Sequence, residues 1–161
     1  MKMEDRKPEC GLYIHIPFCV RKCLYCDFLS FPASEETRRL YIKRLSEEIR
    51  ACGRRAGMRE RIVDTVFIGG GTPSLLLPEE TEALLEAARA SFRVDAGAEI
   101  TMEANPGSFG RAAAGSLRRA GVTRLSLGLQ SACDGELARL GRIHTCRAFL
   151  ESFDAAREAG F

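Results

Sequence analysis

Two periods of apolar and polar residues alternate along this chain. Short apolar, β-branched runs read as strands at 11–16 (GLYIHI), 62–68 (IVDTVFI), 98–103 (AEITME) and 122–129 (VTRLSLGL). Between them the apolar positions recur at helical spacing. Ser34 stands where a helix cap is wanted, with Glu35 and Glu36 in the positive first turn, and Tyr41, Leu45, Ile49 and Cys52 follow on one face. The stretch 78–92 opens on Pro78 and acids and carries Leu84, Leu85, Ala88 and Phe92 on one side. Residues 108–121 predict a helix capped by Ser108 and stopped by Gly121. A short helix is expected near 133–140. A last one is capped by Thr145, turns Phe149, Phe153 and Ala156 inward, and closes at Gly160.

Strands that alternate with helices, with no hairpin turn between them, predict an α/β fold of parallel β/α units with right-handed crossovers. No linker, repeat or low-complexity tract interrupts the alternation. Gly160 and Phe161 read as a helix stop and the first residue of a fifth strand, so the expectation is one domain over 1–161, part of a longer barrel-type protein.

Composition adds limits. The chain has 161 residues, 45% hydrophobic and 29% charged, with a net charge of +2 spread along its length. That balance favours a soluble domain and gives no electrostatic case for nucleic acid or a membrane surface. No apolar run approaches the roughly 20 residues of a membrane span. The start, MKMEDRKPEC, lacks the apolar core of a signal peptide. The expected location is therefore the cytoplasm, where seven cysteines point to metal or redox chemistry before disulfides.

In parallel α/β folds ligands gather at the carboxyl ends of the strands, and each predicted strand here is followed by unusual residues. The first leads into YIHIPFCVRKCLYCDF, with Cys19, Cys23 and Cys26 spaced C-x3-C-x2-C. Three thiolates can hold three corners of a [4Fe–4S] cubane and leave one iron open. Zinc would want a fourth ligand, such as His15 or His144, at a spacing uncommon for it. Three unrelated loop cysteines are the third possibility. The second strand leads into Gly69-Gly70-Gly71-Thr72-Pro73, which lacks the lysine of a P-loop. It can let a ligand approach the backbone or can be a tight turn.

The third strand ends at Glu103, able to bind hydroxyls or an ammonium, or else a solvated rim charge. The fourth leads to Gln130, a ribose partner or a loop cap, and then to Arg142, a carboxylate partner or a surface arginine. His15 and His144 read as structural. Cys10, Cys52, Cys133 and Cys146 have no ligand spacing.

Taken together, YIHIPFCVRKCLYCDF, GGGTPS, EANPGS, RLSLGLQS and LGRIHT resemble the radical S-adenosylmethionine (SAM) superfamily, in the branch of oxygen-independent coproporphyrinogen III oxidases and related heme chaperones. The resemblance covers Tyr13 to the end. It implies a partial (β/α)6 barrel of which about four strands are present. It also implies a [4Fe–4S] cluster on Cys19, Cys23 and Cys26, and SAM chelated by the open iron. By motif, Tyr13 and Tyr25 would lie beside cluster and cofactor. Gly70, Gly71 and Thr72 would contact the methionine end, Glu103 and Gln130 the polar groups including the ribose, and Arg142 the carboxylate. An electron from the cluster would cleave SAM to methionine and a 5′-deoxyadenosyl radical.

Two features side with the heme chaperones of that branch. Phe28 stands where the oxidases carry a further cysteine, and only twelve residues precede Tyr13. Heme or porphyrin and an electron donor are the implied partners, with heme held by a region beyond these residues. A porphyrin-oxidising enzyme and a zinc-binding module are the alternatives, so enzyme status stays open at this point.

Overall fold

Residues 9–161 are described by a computed structural model, the side chain of Arg59 excepted; the polar start at 1–8 lies outside them. Four strands form one parallel sheet in sequence order: β1 (Glu9–Ile16), β2 (Ile62–Gly70), β3 (Arg93–Ala104) and β4 (Arg124–Leu127). The helices are α1 (Glu35–Gly53), α2 (Pro78–Ser91), α3 (Arg111–Ala120), α4 (Asp134–Arg139) and α5 (Cys146–Glu158). Each crossover carries a helix back along the sheet, as a parallel pair requires.

One face of the sheet supplies the main core. Ile14 and Ile16 of β1, Val66 and Ile68 of β2, and Ile100 and Met102 of β3 are buried with Ile42, Ile49, Leu84, Leu85 and Leu117 from the helices. Alternation puts Tyr13, His15, Phe67, Gly69, Thr101 and Glu103 on the opposite face. The rings of Tyr13 and Phe67, neighbours across β1 and β2, stack there at 6.1 Å. Among the described residues no helix is long and apolar enough to cross a membrane.

Several sequence expectations hold in detail. Ser34 Oγ accepts from Thr37 N at 3.2 Å, Thr145 Oγ1 accepts from Ala148 N at 3.2 Å, and Gly121 closes α3 with φ +106°. Others are corrected. The third strand starts at Arg93 rather than Ala98. Its register against β2 slips, five residues of β3 passing (Val94 to Glu99) while β2 advances from Val63 to Thr65, so the pattern 98–103 marks only the regular part.

Ser108 does not cap α3. Gly107, with φ +78°, turns the chain so that the Ser108 hydroxyl donates to Asn105 O at 2.6 Å, and Gly110 occupies the cap. On α5 the buried stripe is Ser152, Ala155 and Ala156, while Phe153 is 44% exposed and stacks on Phe149. Small residues win that face because α5 lies against the loop before α3, where Gly107 N donates to Ser152 Oγ at 2.8 Å. On α1 Ile49 is buried as expected, and the rest of the buried stripe is shifted by one position. Ile42, Ser46, Ile49 and Gly53 face in, with Tyr41, Leu45 and Cys52 half-buried beside them. Gly53 sits so close to α2 that a Cβ would lie 2.5 Å from Ser91 O.

Candidate functional site

The cysteine segment leaves β1 and is drawn back to where it started. Phe31 N donates to Pro17 O at 2.9 Å and Cys19 N to Phe31 O at 3.1 Å, closing 17–31 as a compact loop. Its tip is tied to the segment after α4, with Leu24 N donating to Leu140 O at 3.1 Å and Arg21 Nη2 to Gly141 O at 2.8 Å. The base of the loop meets the glycine run of β2. Gly71 N donates to Ile16 O at 2.8 Å and Thr72 N to Phe18 O at 2.7 Å, so the two chains stay paired past the end of the sheet.

That approach explains the glycines. A Cβ on Gly71 would lie 2.6 Å from Phe18 O and 3.0 Å from Cys19 Sγ. One on Gly69 would lie 2.7 Å from the Phe67 ring and 2.9 Å from a Glu103 carboxylate oxygen. Gly70 has φ +118° and would press a Cβ to 2.7 Å from the His15 ring. Each of the three positions excludes a side chain for a different reason.

Cys19, Cys23 and Cys26 open on one cavity of about 220 Å3 with Tyr25, Gly70, Gly71, Glu103, Gln130 and Arg142. Phe28, 64% exposed, also lines it. Two of the predicted residues stand apart. Thr72 is buried and lines a second cavity that shares Cys23, Asn105 and Arg142 with the first. Tyr13 lies on the open sheet face, its hydroxyl 3.0 Å from His15 Nδ1. Burial first, and Glu103 second, raise the Tyr13 pKa above its ordinary value, so the phenol keeps its proton. Leu29 O can only accept, so His15 Nε2–H donates to it at 3.3 Å, while Nδ1 pairs with the Tyr13 hydroxyl. His15 is thus satisfied, but half-buried on the site face and not in the core.

The two charged members are held by backbone and side-chain partners. Glu103 Oε2 accepts from Gly70 N at 2.9 Å. Arg142 Nη2 donates to Asn105 Oδ1 at 2.7 Å and to Gly128 O at 2.9 Å, and Nη1 to Cys23 Sγ at 3.5 Å; its Nε is buried with no partner. Gln130 is exposed and has φ +67°, the only non-glycine residue with a positive φ among those described. Such a conformation costs about 1–3 kcal/mol and collects at functional positions. His144 is buried with its Nε2–H donated to Leu129 O at 3.1 Å, a structural role as expected.

Asn105, within the EANPGS stretch after β3, joins the second strand's end to the fourth's. Its Nδ2 donates to Thr72 Oγ1 at 2.8 Å, and Thr72 Oγ1 lies 3.4 Å from Cys19 Sγ. The local signal, Asn before Pro-Gly, says only that a turn begins.

The three thiols spread over a cavity wall. Among the described residues no three His, Cys, Asp or Glu side chains are placed to hold a single ion. A polynuclear cluster, in which each thiolate meets a different iron, does not need three side chains on one ion, and three thiols on one cavity with donors to Cys19 and Cys23 are the ligand type it takes.

Comparison with known proteins shows the family and the fold. The profile of the radical SAM superfamily matches residues 13–161. The chain is 47% identical over 138 residues to the heme chaperone HemW of Escherichia coli (strain K12), covering 85% of this chain and 36% of that protein. It is 38% identical over 156 residues to HemW of Haemophilus influenzae, covering 95% and 41%. It is 39% identical over 147 residues to the bovine mitochondrial radical S-adenosyl methionine domain-containing protein 1, covering 91% and 33%. The chain therefore spans about two fifths or less of the length of these relatives. Among solved structures, coproporphyrinogen III oxidase (HemN) from Escherichia coli, described as a radical SAM enzyme, superposes with a TM-score of 0.84 at 29% identity, covering 96% of this chain and 35% of that one.

Proposed function

The chain belongs to the radical SAM superfamily, and on that premise we propose that it binds a [4Fe–4S] cluster and SAM and is the radical SAM part of a heme chaperone. The observation that carries the proposal is the convergence of three thiols from one loop with Gly70, Gly71, Glu103, Gln130 and Arg142 on a single cavity. Cys19, Cys23 and Cys26 would hold the cluster. Such a cluster, when bound with SAM, supplies an electron for reductive cleavage of the sulfonium.

The remaining roles belong to the chain. Gly70 and Gly71 offer bare backbone to the methionine end of SAM. Glu103 keeps one carboxylate oxygen on Gly70 N and leaves the other for an ammonium or a hydroxyl. Gln130 reaches from a strained backbone position toward the ribose. Arg142 supplies positive charge for the carboxylate, and Tyr13 and Tyr25 flank the site. Heme is the proposed cargo, on the strength of the HemW relatives, and an electron-donating protein is the proposed partner.

A porphyrin-oxidising enzyme is the second reading, favoured by the structural likeness to HemN; Phe28 in place of a further cysteine weighs against it. Anaerobic reconstitution followed by iron, sulfide and zinc analysis tests the cluster, with about four irons and four sulfides expected per chain. One zinc with no sulfide would establish the binding-module alternative. Heme titration of the protein extended to the length of its relatives tests the cargo: saturable binding is expected, and turnover of coproporphyrinogen III with SAM and reductant would transfer the assignment to the enzyme.

A further inference from the structure

Asn105 stands at the end of β3, between the glycine run of β2 and the segment after β4. Its side-chain amide fixes the direction of its own bonds to Arg142 and Thr72. Arg142 has donors only, so Asn105 Oδ1 must accept from Nη2, at 2.7 Å. The NH2 group therefore faces Thr72 and donates to Oγ1 at 2.8 Å. With that lone pair used, the hydroxyl proton of Thr72 is free to point at Cys19 Sγ, 3.4 Å away. On the other side, Arg142 is pinned by Asn105 and by Gly128 O while Nη1 donates to Cys23 Sγ at 3.5 Å. Space is reserved for the arrangement: a Cβ on Gly128 would lie 3.3 Å from Asn105 Oδ1 and 3.4 Å from Arg142 Nη2. One amide thus aims two donors, from two different elements, at two of the three cysteine sulfurs. Among the described residues no side chain donates to the third, Cys26.

We propose that Asn105 is a positioning residue that raises the reduction potential of a cluster on Cys19, Cys23 and Cys26, by holding Thr72 and Arg142 as donors to two of its sulfurs. The proposal rests on the cluster reading above. Hydrogen bonds to ligand sulfur favour the more negatively charged, reduced cluster, and the guanidinium adds positive charge beside it. Thr72 thereby acts on a cysteine ligand through its hydroxyl as well as lying next to the glycine run.

Two variants separate the parts. Thr72→Val removes one donor and keeps the shape; Asn105→Leu removes the holder of both. The midpoint potential of the reconstituted 161-residue chain is followed by redox titration with EPR detection. It is expected to fall in Thr72→Val and to fall further in Asn105→Leu, with iron and sulfide content per chain unchanged. Equal midpoints in all three proteins at full cluster content would overturn the proposal, as would an Asn105→Leu midpoint no lower than that of Thr72→Val.

A second measurement needs no cluster. Asn105 is the only asparagine and Gln130 the only glutamine, so the 1H–15N spectrum of the cluster-free chain contains two side-chain amide pairs. The Asn105 pair is expected to exchange with solvent more slowly than that of Gln130, and to shift in Thr72→Val. Exchange as fast as that of Gln130 would overturn the hydrogen-bond arrangement itself, whatever the chain does with iron.

Discussion

Glu103 on the third strand accepts a hydrogen bond from Gly70 N on the second at 2.9 Å, and this one contact ties a candidate ligand group to the glycine run beside the cysteine loop. The bond and the charge can be separated. Glu103→Gln keeps an acceptor for Gly70 N and is expected to change unfolding free energy by less than about 0.5 kcal/mol. Glu103→Ala loses the bond and should cost about 1–2 kcal/mol. Both are expected to weaken SAM binding by about tenfold or more, as loss of a charge-assisted contact does. Denaturant unfolding and equilibrium dialysis against SAM read the two effects.

The glycine run predicts an order of severity. At Gly71 the obstacle to a Cβ is the Phe18 carbonyl, which is backbone and cannot swing away, and at Gly69 it is two side-chain ends. Gly71→Ala is expected to destabilise by about 1–3 kcal/mol and to impair cluster uptake, because the cysteine loop must shift. Gly69→Ala should cost less, and Gly70→Ala should add backbone strain from φ +118°. Thermal unfolding of the three variants and iron content after reconstitution check the order.

Gln130 holds φ +67° without being glycine. Gln130→Gly relieves that strain, so the variant is expected to unfold no more easily than the parent, offset by the extra freedom glycine has in the unfolded chain. SAM affinity should nevertheless fall. A variant that is markedly less stable would show that Gln130 serves the fold and not a ligand.

His144 gives a pH dependence. Burial lowers its pKa from the ordinary value; the bond to Leu129 O opposes this, and Arg142 nearby adds to it. As pH falls below about 6.5 the unfolded chain takes up a proton that folded His144 resists. Stability should therefore decline with falling pH from there, and level off once the pH is below the folded value. Denaturant midpoints between about pH 8 and pH 5 are expected to slope this way, and less steeply in His144→Gln.

Much of the architecture was legible because it is written in local patterns. Four apolar runs, the caps at Ser34 and Thr145, and the stop at Gly121 each depend on neighbours within a turn or two. Expectations failed where a distant partner decided the outcome. Ser108 turns to Asn105 and Ser74 instead of capping its helix, and Phe153 yields the inner face of α5 to Ser152 because Gly107 comes so close. The β3 register slip also has no local mark. In the candidate site, the cysteines, glycines and strand-end residues could be picked out by position at the carboxyl ends. Asn105 could not, since its partners Thr72 and Arg142 lie 33 and 37 residues away.

A cluster held by three cysteines with one iron left for SAM is tested most directly by EPR of the reduced, anaerobically reconstituted chain with and without SAM. A [4Fe–4S] signal that changes on adding SAM is expected in the parent. None is expected in Cys19→Ala, Cys23→Ala or Cys26→Ala, and an unaltered signal in Cys52→Ala. A full cluster whose signal ignores saturating SAM, or one that survives loss of any of the three cysteines, would contradict it.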